Sequence, residues 1–214
     1  MVDAFKFSRS ATVIIEEYLE GSEYSIDALI YKNEITICGF ADRHIFYPPY
    51  FIEMGHTIPS AIETESDLYK KIISTFKAAV RALGITEGAA KGDVRYSRGK
   101  IYIGEIAARL SGGYMSGWTY PYSSGVLLTR EALKIAVGQP PGNLQPSISR
   151  ITVERAFISI PGIITEITGI KNAKEDTDLK EIFLRVTTGA DVKFPENNVE
   201  KVGNCIAVHK KRSV

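Results

Sequence analysis

GDVRYSRGKIYIGEIAARLSGG, residues 92–113, is the stretch from which the fold of this chain can be read. Residues 92–96 read as a strand, Ser97-Arg98-Gly99-Lys100 as a turn and 101–106 as the returning strand, with Ile101 and Ile103 as its apolar positions. In such a hairpin, residues nearly equidistant from the turn face one another. Asp93 stands five residues before Arg98 and Glu105 six after Gly99, so the ladder brings two carboxylates close. Two carboxylates in a partly dry site repel unless a cation lies between them, and a hard divalent ion such as Mg2+ suits that place. Arg109 follows four residues after Glu105, and Ser111-Gly112-Gly113 lets the backbone pass close to a ligand. A guanidinium beside such a pair can grip a phosphate or carboxylate through two parallel hydrogen bonds. The alternative is a solvated β-arm whose acids face water.

Upstream of the hairpin, Ser66 is placed to cap a helix reaching Leu83, with Leu68, Ile72, Phe76, Val80 and Leu83 on one stripe and Gly84 ending it. Residues 41–60 hold three prolines, four aromatics and a Gly-His pair, and read as an ordered irregular loop bordering a site. Arg43, His44 and His56 are its candidate contacts, with a surface role as the alternative. Further back, 12–19 (TVIIEEYL) reads as a strand, and residues 24–31 alternate apolar and polar as a half-buried strand would. Lys32-Asn33-Glu34 turns the chain into a strand at 35–40. Residues 1–10 carry Phe5 and Phe7 in what reads as the end of a helix, too short to stand alone.

Downstream, YMSGWTYPYSSG either walls a substrate pocket or simply packs. Residues 129–137 form an amphipathic helix stopped by Gly138. From 143 onward the chain is β-rich, with strands at 151–160, 163–167, 182–187 and 202–208. The expected fold is α+β: an antiparallel sheet with helices over 1–142, then a small β-rich appendage over 143–214.

The 214 residues are 44% apolar and 24% charged, the balance of an ordinary globular protein able to bury a core without disulfides. A net charge of +1 supplies no field for nucleic acid. The His209-Lys210-Lys211-Arg212 run reads as a frayed, solvated terminus, and Cys38 and Cys205 as buried reduced thiols. No opening signal peptide is visible and no apolar run approaches the ~20 residues of a membrane span, so no membrane role is expected and a cytoplasmic setting is. A Walker loop, a dinucleotide fingerprint and a Ser-His-Asp arrangement are all missing from the sequence.

Taken together, VIIEEYLEGSEYSID, the helix ending RALGITEG, and GEIAARLSGG resemble the C-terminal half of an ATP-grasp ligase. That superfamily includes carboxylate-amine ligases, biotin carboxylase and carbamoyl phosphate synthetase. The tail, with PGIITEITGI and VEKVGNCIAV, is similar to the C-terminal β subdomain of the L-amino acid ligase, glycinamide ribonucleotide synthetase and biotin carboxylase branches. The resemblance implies ATP and Mg2+ (or Mn2+) as cofactors, and small carboxylate and amine substrates joined through an acyl phosphate. It implies that Glu16, Glu17, Tyr18 and Leu19 form the adenine-binding hinge and that Glu23 bonds the ribose. Arg43 would contact phosphate, Asp93 and Glu105 would hold the metal, and Arg109 would grip the acyl phosphate or substrate carboxylate.

The chain departs from the family at Ala107, where many members carry an asparagine that helps hold a second metal. It departs again in lacking the N-terminal half with its two phosphate-binding lysines. That half is expected as a separate chain or as part of a longer one, with self-association through the exposed apolar face as a further expectation. The other reading is a noncatalytic nucleotide-binding or regulatory module.

Overall fold

In the computed structural model, which describes residues 2–212, the 92–113 hairpin forms one edge of an eight-stranded antiparallel sheet. The elements in chain order are α1 (Val2–Phe7), β1 (Ser22–Tyr31), β2 (Glu34–Phe46), β3 (Ile52–Ile58), α2 (Asp67–Ala82), β4 (Gly88–Ser97) and β5 (Lys100–Ala107). A π-helical turn (Met115–Thr119) follows, then α3 (Tyr120–Ser124), α4 (Leu128–Ala136), β6 (Ile151–Phe157), β7 (Gly162–Ile163), α5 (Ile170–Glu175), β8 (Leu179–Leu184), β9 (Asp191–Val192) and β10 (Gly203–His209). The strand order is β5-β4-β1-β2-β3-β6-β10-β8, with β7 and β9 paired apart from it. The C-terminal strands β6, β10 and β8 therefore continue the sheet begun by the N-terminal ones. Among the described residues no helix is long and apolar enough to cross a membrane.

Each face of the sheet has its own cover. On one, α2 lays Ile72, Phe76 and Val80 on Tyr24, Ile26, Ala28 and Ile30 of β1 and on Ala90 and Val94 of β4. The Ser66 side chain accepts from the Tyr69 N–H, capping α2 as the sequence predicts. Leu83, expected on the apolar stripe, is instead 61% exposed at the C-cap. On the opposite face Tyr120, Met115, Val126 and Leu128 pack with Ala41 and Ile58. Two glycines make room for these covers. A Cβ on Gly92 would lie 2.6 Å from the Phe76 ring, and one on Gly39 would lie 2.2 Å from the Tyr120 ring.

Covering both faces explains a correction: β1, expected to be half-buried, is buried from Tyr24 to Ile30. Residues 41–60 are not a loop. The end of β2 and all of β3 run through them as a hairpin, closed by a short turn at 47–51. Proline-rich composition misled the reading because its prolines cluster in the turn and just after β3. The predicted strand at 12–19 is likewise absent: this stretch is unpaired, and Ile14 and Ile15 are 86% and 70% exposed. Its apolar residues find no sheet edge among the described residues. In the C-terminal part the strand expected at 163–167 shrinks to β7, and α5 was not foreseen.

Cys38 and Cys205 are free but half-buried rather than sealed, and burial pushes the Cys38 thiol up to about 12. Arg212 is tied back rather than frayed, reaching Asp42 and the Pro59 carbonyl.

Candidate functional site

Strand periodicity builds the site. On β4 the odd positions Lys91, Asp93 and Arg95 leave the face opposite α2, while Val94 and Tyr96 point into the core beneath it. On β1 the same face carries Glu23 and Asp27, and the register sets Glu23 beside both Arg95 of β4 and Arg43 of β2. The Arg98-Gly99 turn has both residues at positive φ (49° and 76°), as a two-residue hairpin turn requires. From that turn the plain register would set Asp93 opposite Gly104. A bulge between Asp93 and Val94 shifts it by one, so that Asp93 pairs with Glu105.

A continuous chain of contacts results. Arg109 Nη2 lies 3.6 Å from Glu105 Oε1, whose other cationic neighbour is Lys91 Nζ at 3.3 Å. Lys91 also bonds Asp93 Oδ2, which Arg43 Nη1 meets at 2.9 Å. The same Nη1 is 2.6 Å from Glu23 Oε1, and Arg43 Nε donates to Glu53 at 3.1 Å. Glu23 Oε2 is held by Arg95, whose Nη1 donates to the Leu19 carbonyl at 2.7 Å. Burial works against the charge on Arg43, but Glu53, Asp93 and Glu23 outweigh it and raise its pKa above the ordinary value. Four cations, Arg109, Lys91, Arg43 and Arg95, thus alternate with Glu105, Asp93 and Glu23 along one row, and Glu53 branches from it at Arg43.

Of the residues singled out from sequence, Glu23, Arg43, Asp93, Glu105 and Arg109 lie in this row. Leu19 joins it through its carbonyl, and Tyr18 stacks on Phe51 at 5.1 Å with the Arg95 guanidinium 5.9 Å from its ring. Glu16 is exposed, and Glu17 lies to one side, 3.4 Å from Arg98. His44 faces away from the row, its Nε2 2.9 Å from Thr57 Oγ1. His56 is 1% exposed between Glu154 and Thr119, which makes it a core histidine.

Sequence reasoning missed Lys91, Arg95 and Glu53. The period-two run Lys91-Asp93-Arg95 was the available signal for the first two. It also missed Asp27, which is fully buried and accepts from the Ser111 N–H (3.1 Å), the Ser111 hydroxyl (2.6 Å) and the Ser116 hydroxyl. Burial raises the Asp27 pKa and those donors oppose the rise. Asp27 therefore fastens the loop that follows Arg109.

The carboxylate pair suits a hard divalent cation in its donor chemistry. Asp93 Oδ1 is buried without a hydrogen-bond partner, whereas the cations on Asp93 all meet Oδ2. Glu105 is half-exposed, and its contacts likewise run through one oxygen, Oε1. Among the described residues no group of three or more His, Cys, Asp or Glu could hold a metal, so this chain offers two carboxylates and leaves other positions to water and ligand oxygens.

The family model for the ATP-grasp domain matches residues 3–117, more than half of the chain. The chain belongs to the ATP-grasp family. A second model, L-amino acid ligase C-terminal domain 2, matches residues 156–213. The L-arginine-specific L-amino acid ligase of Bacillus subtilis is 26% identical over 185 residues, 84% of this chain and 43% of that protein. Among solved structures, L-amino acid ligase from Bacillus licheniformis aligns with TM-score 0.78 and 21% identity over 91% of this chain and 48% of its own. Phosphoribosylglycinamide synthetase from Anaerococcus prevotii aligns with TM-score 0.79 and 22% identity over 97% of this chain and 53% of its own. These likenesses establish the ATP-grasp fold, and the chain spans about half the length of the proteins it matches.

Proposed function

We propose that this chain is the ATP- and Mg2+-binding half of an ATP-dependent carboxylate-amine ligase that works through an acyl phosphate. The observation that carries the reading is the Asp93–Glu105 register pair with an unpartnered Asp93 oxygen, set in a row of alternating charge. Asp93 and Glu105 would hold the metal. When bound, a divalent cation neutralises charge on the phosphates during transfer. Glu23, already gripped by two arginines, has lone pairs left for ribose hydroxyls. Residues 16–19, outside any strand ladder and tied to Arg95 through the Leu19 carbonyl, are the adenine-binding hinge, reaching the base through the backbone. Arg43 holds Asp93 in place and adds positive charge beside the phosphates. Arg109 is half-exposed, and its free N–H groups orient the substrate carboxylate and then its acyl phosphate toward the amine.

A division at 142/143 would set this nucleotide side ahead of a C-terminal part, and the match of the amino acid ligase model to residues 156–213 supports it, although one sheet runs through both. The partner is an N-terminal ATP-grasp half that closes over the nucleotide. Phe7, Ile14 and Ile15, which are 87%, 86% and 70% exposed, are candidates for the docking surface, and a cytoplasmic setting fits this chemistry. A noncatalytic nucleotide-binding module is the second reading. The specific observation favouring it is that Lys91 already bridges the carboxylate pair.

Phosphate release tests the proposal. ATP, Mg2+ and a pool of amino acids and other carboxylates are supplied to this chain alone and mixed with an N-terminal ATP-grasp half. Turnover in the mixture only is expected. Robust turnover by the chain alone would overturn the half-enzyme reading, and none in the mixture would favour the noncatalytic module.

A further inference from the structure

The Asp93–Glu105 pair is already bridged by a cation from the protein itself. Lys91 is 7% exposed, and its Nζ bonds Asp93 Oδ2 and lies 3.3 Å from Glu105 Oε1. Three features make this a built arrangement rather than a passing contact. Lys91 leaves β4 on the same face as Asp93, two residues away. Its partner in the ladder on β5 is Ala107, whose methyl group offers no oxygen and leaves the lysine stem a clear path. The cation contacts are also one-sided: Lys91 and Arg43 take Asp93 Oδ2, and Lys91 and Arg109 take Glu105 Oε1. Asp93 Oδ1 is left buried without a hydrogen-bond partner, and Glu105 Oε2, on a half-exposed side chain, takes part in neither ion pair.

We infer that Lys91 is a built-in cation of the metal site: it clamps one oxygen of each carboxylate, leaves the other two for a single divalent ion, and supplies the charge a second ion would bring. The inference rests on the nucleotide-and-metal reading of this face. Physically, the four cations and four carboxylates of the row already cancel, so one dication enters only together with the negative charge of a nucleotide's phosphates. A second dication would have to take Oδ2 and Oε1 from an ammonium that has little solvent to retreat into. Lys91 is thus a positioning residue with an electrostatic role, and the two oxygens it holds are the ones a second ion would need.

Its removal should have opposite effects on metal and on nucleotide, which a merely structural lysine would not. Manganese binding is counted by electron paramagnetic resonance on the whole chain, with and without a non-hydrolysable ATP analogue, for the wild type, Lys91→Met and Glu105→Gln. Nucleotide affinity in excess chelator is measured alongside by calorimetry. The wild type should take one Mn2+ per chain in the presence of the analogue. Lys91→Met should bind free Mn2+ roughly tenfold or more tightly and admit a second ion, because a nearby like charge has been removed. It should also bind metal-free analogue more weakly.

Circular dichroism checks that the variant folds, and Lys91→Gln, polar but uncharged, repeats the test if methionine is not tolerated there. Two ions on the wild type, or unchanged manganese number and affinity in both variants, would overturn the inference while leaving the site intact. If instead Glu105→Gln binds manganese as well as the wild type does, the site reading itself fails and the inference falls with it.

Discussion

Glu23 and Asp27 leave the same strand on the same face, four positions apart, and meet different surroundings. Asp27 is sealed under the loop after β5, and both of its oxygens are occupied by hydroxyl and amide donors of that loop. Glu23 sits at the open end of the face, held by Arg43 and Arg95, which are themselves shared with Asp93, Glu53 and the Leu19 carbonyl. One carboxylate is satisfied by the fold. The other is positioned by two arginines and keeps a small exposed fraction, 15% of its side chain. A similar contrast separates the Asp93–Glu105 edge from the Glu154–His56 pair further along the sheet, where Asn204 and Thr119 bond the buried partners. Burial of a charged side chain therefore does not mark function here. What separates the two settings is that the row's acids are held by arginines and a lysine, whereas Asp27 is held by hydroxyl and amide donors.

The sharpest way to break this comparison is to remove the sealed acid. Asp27→Ala leaves the Ser111 amide and two hydroxyls without an acceptor in a closed space, and should cost roughly 2–4 kcal/mol of stability in urea unfolding. A loss below about 1 kcal/mol would mean that Asp27 does not anchor the loop.

The buried pair yields a pH test. Burial raises Glu154 to about 7, against the pull of its Asn204 hydrogen bond, and lowers His56 to about 3, so both are neutral in the fold at intermediate pH. For Glu154 the folded pKa exceeds the ordinary 4.5, so its contribution is full below 4.5 and is lost as pH rises through about 7. His56 acts oppositely: its folded pKa is depressed from 6.5, and its contribution is lost as pH falls below that value. Glu154→Gln removes the first effect alone. Its stability relative to wild type should therefore climb by on the order of 2–3 kcal/mol from pH 4.5 to 7. A difference independent of pH would contradict the neutral pair.

The arginine-held acid should behave the other way, moving ligand binding more than stability. Glu23→Ala is expected to weaken ATP by about ten- to hundredfold, or about 1.4–2.8 kcal/mol. A 2′,3′-dideoxy nucleotide should lose little more on that variant, whereas additive losses would contradict the ribose contact.

Much of this was legible before the structure. The Arg98-Gly99 turn placed Asp93 and Glu105 near one another, but its plain register pairs Asp93 with Gly104, and the bulge that brings Glu105 opposite was not legible. Ser66 and the Ile72-Phe76-Val80 stripe placed α2 for equally local reasons. Long-range partners were not legible. Nothing near Asp27 in the chain announces Ser111 and Ser116, and Glu53 lay within a stretch read as loop because of its prolines. The 12–19 stretch has a strand's composition but, among the described residues, no strand to pair with. Lys91 and Arg95 stood in view at period two, and recognising them required knowing which face of β4 was left open.

The central claim is that Asp93 and Glu105 hold a metal–nucleotide complex at the edge of the sheet. Glu105→Gln keeps the volume, removes the charge and lies on a half-exposed side chain, so the fold should survive it. Calorimetry of Mg-ATP binding to the wild type and to this variant is the direct measurement. Measurable Mg2+-dependent binding by the wild type, lost in Glu105→Gln, is the predicted result, and equal Mg-ATP affinity in the two proteins would contradict the account.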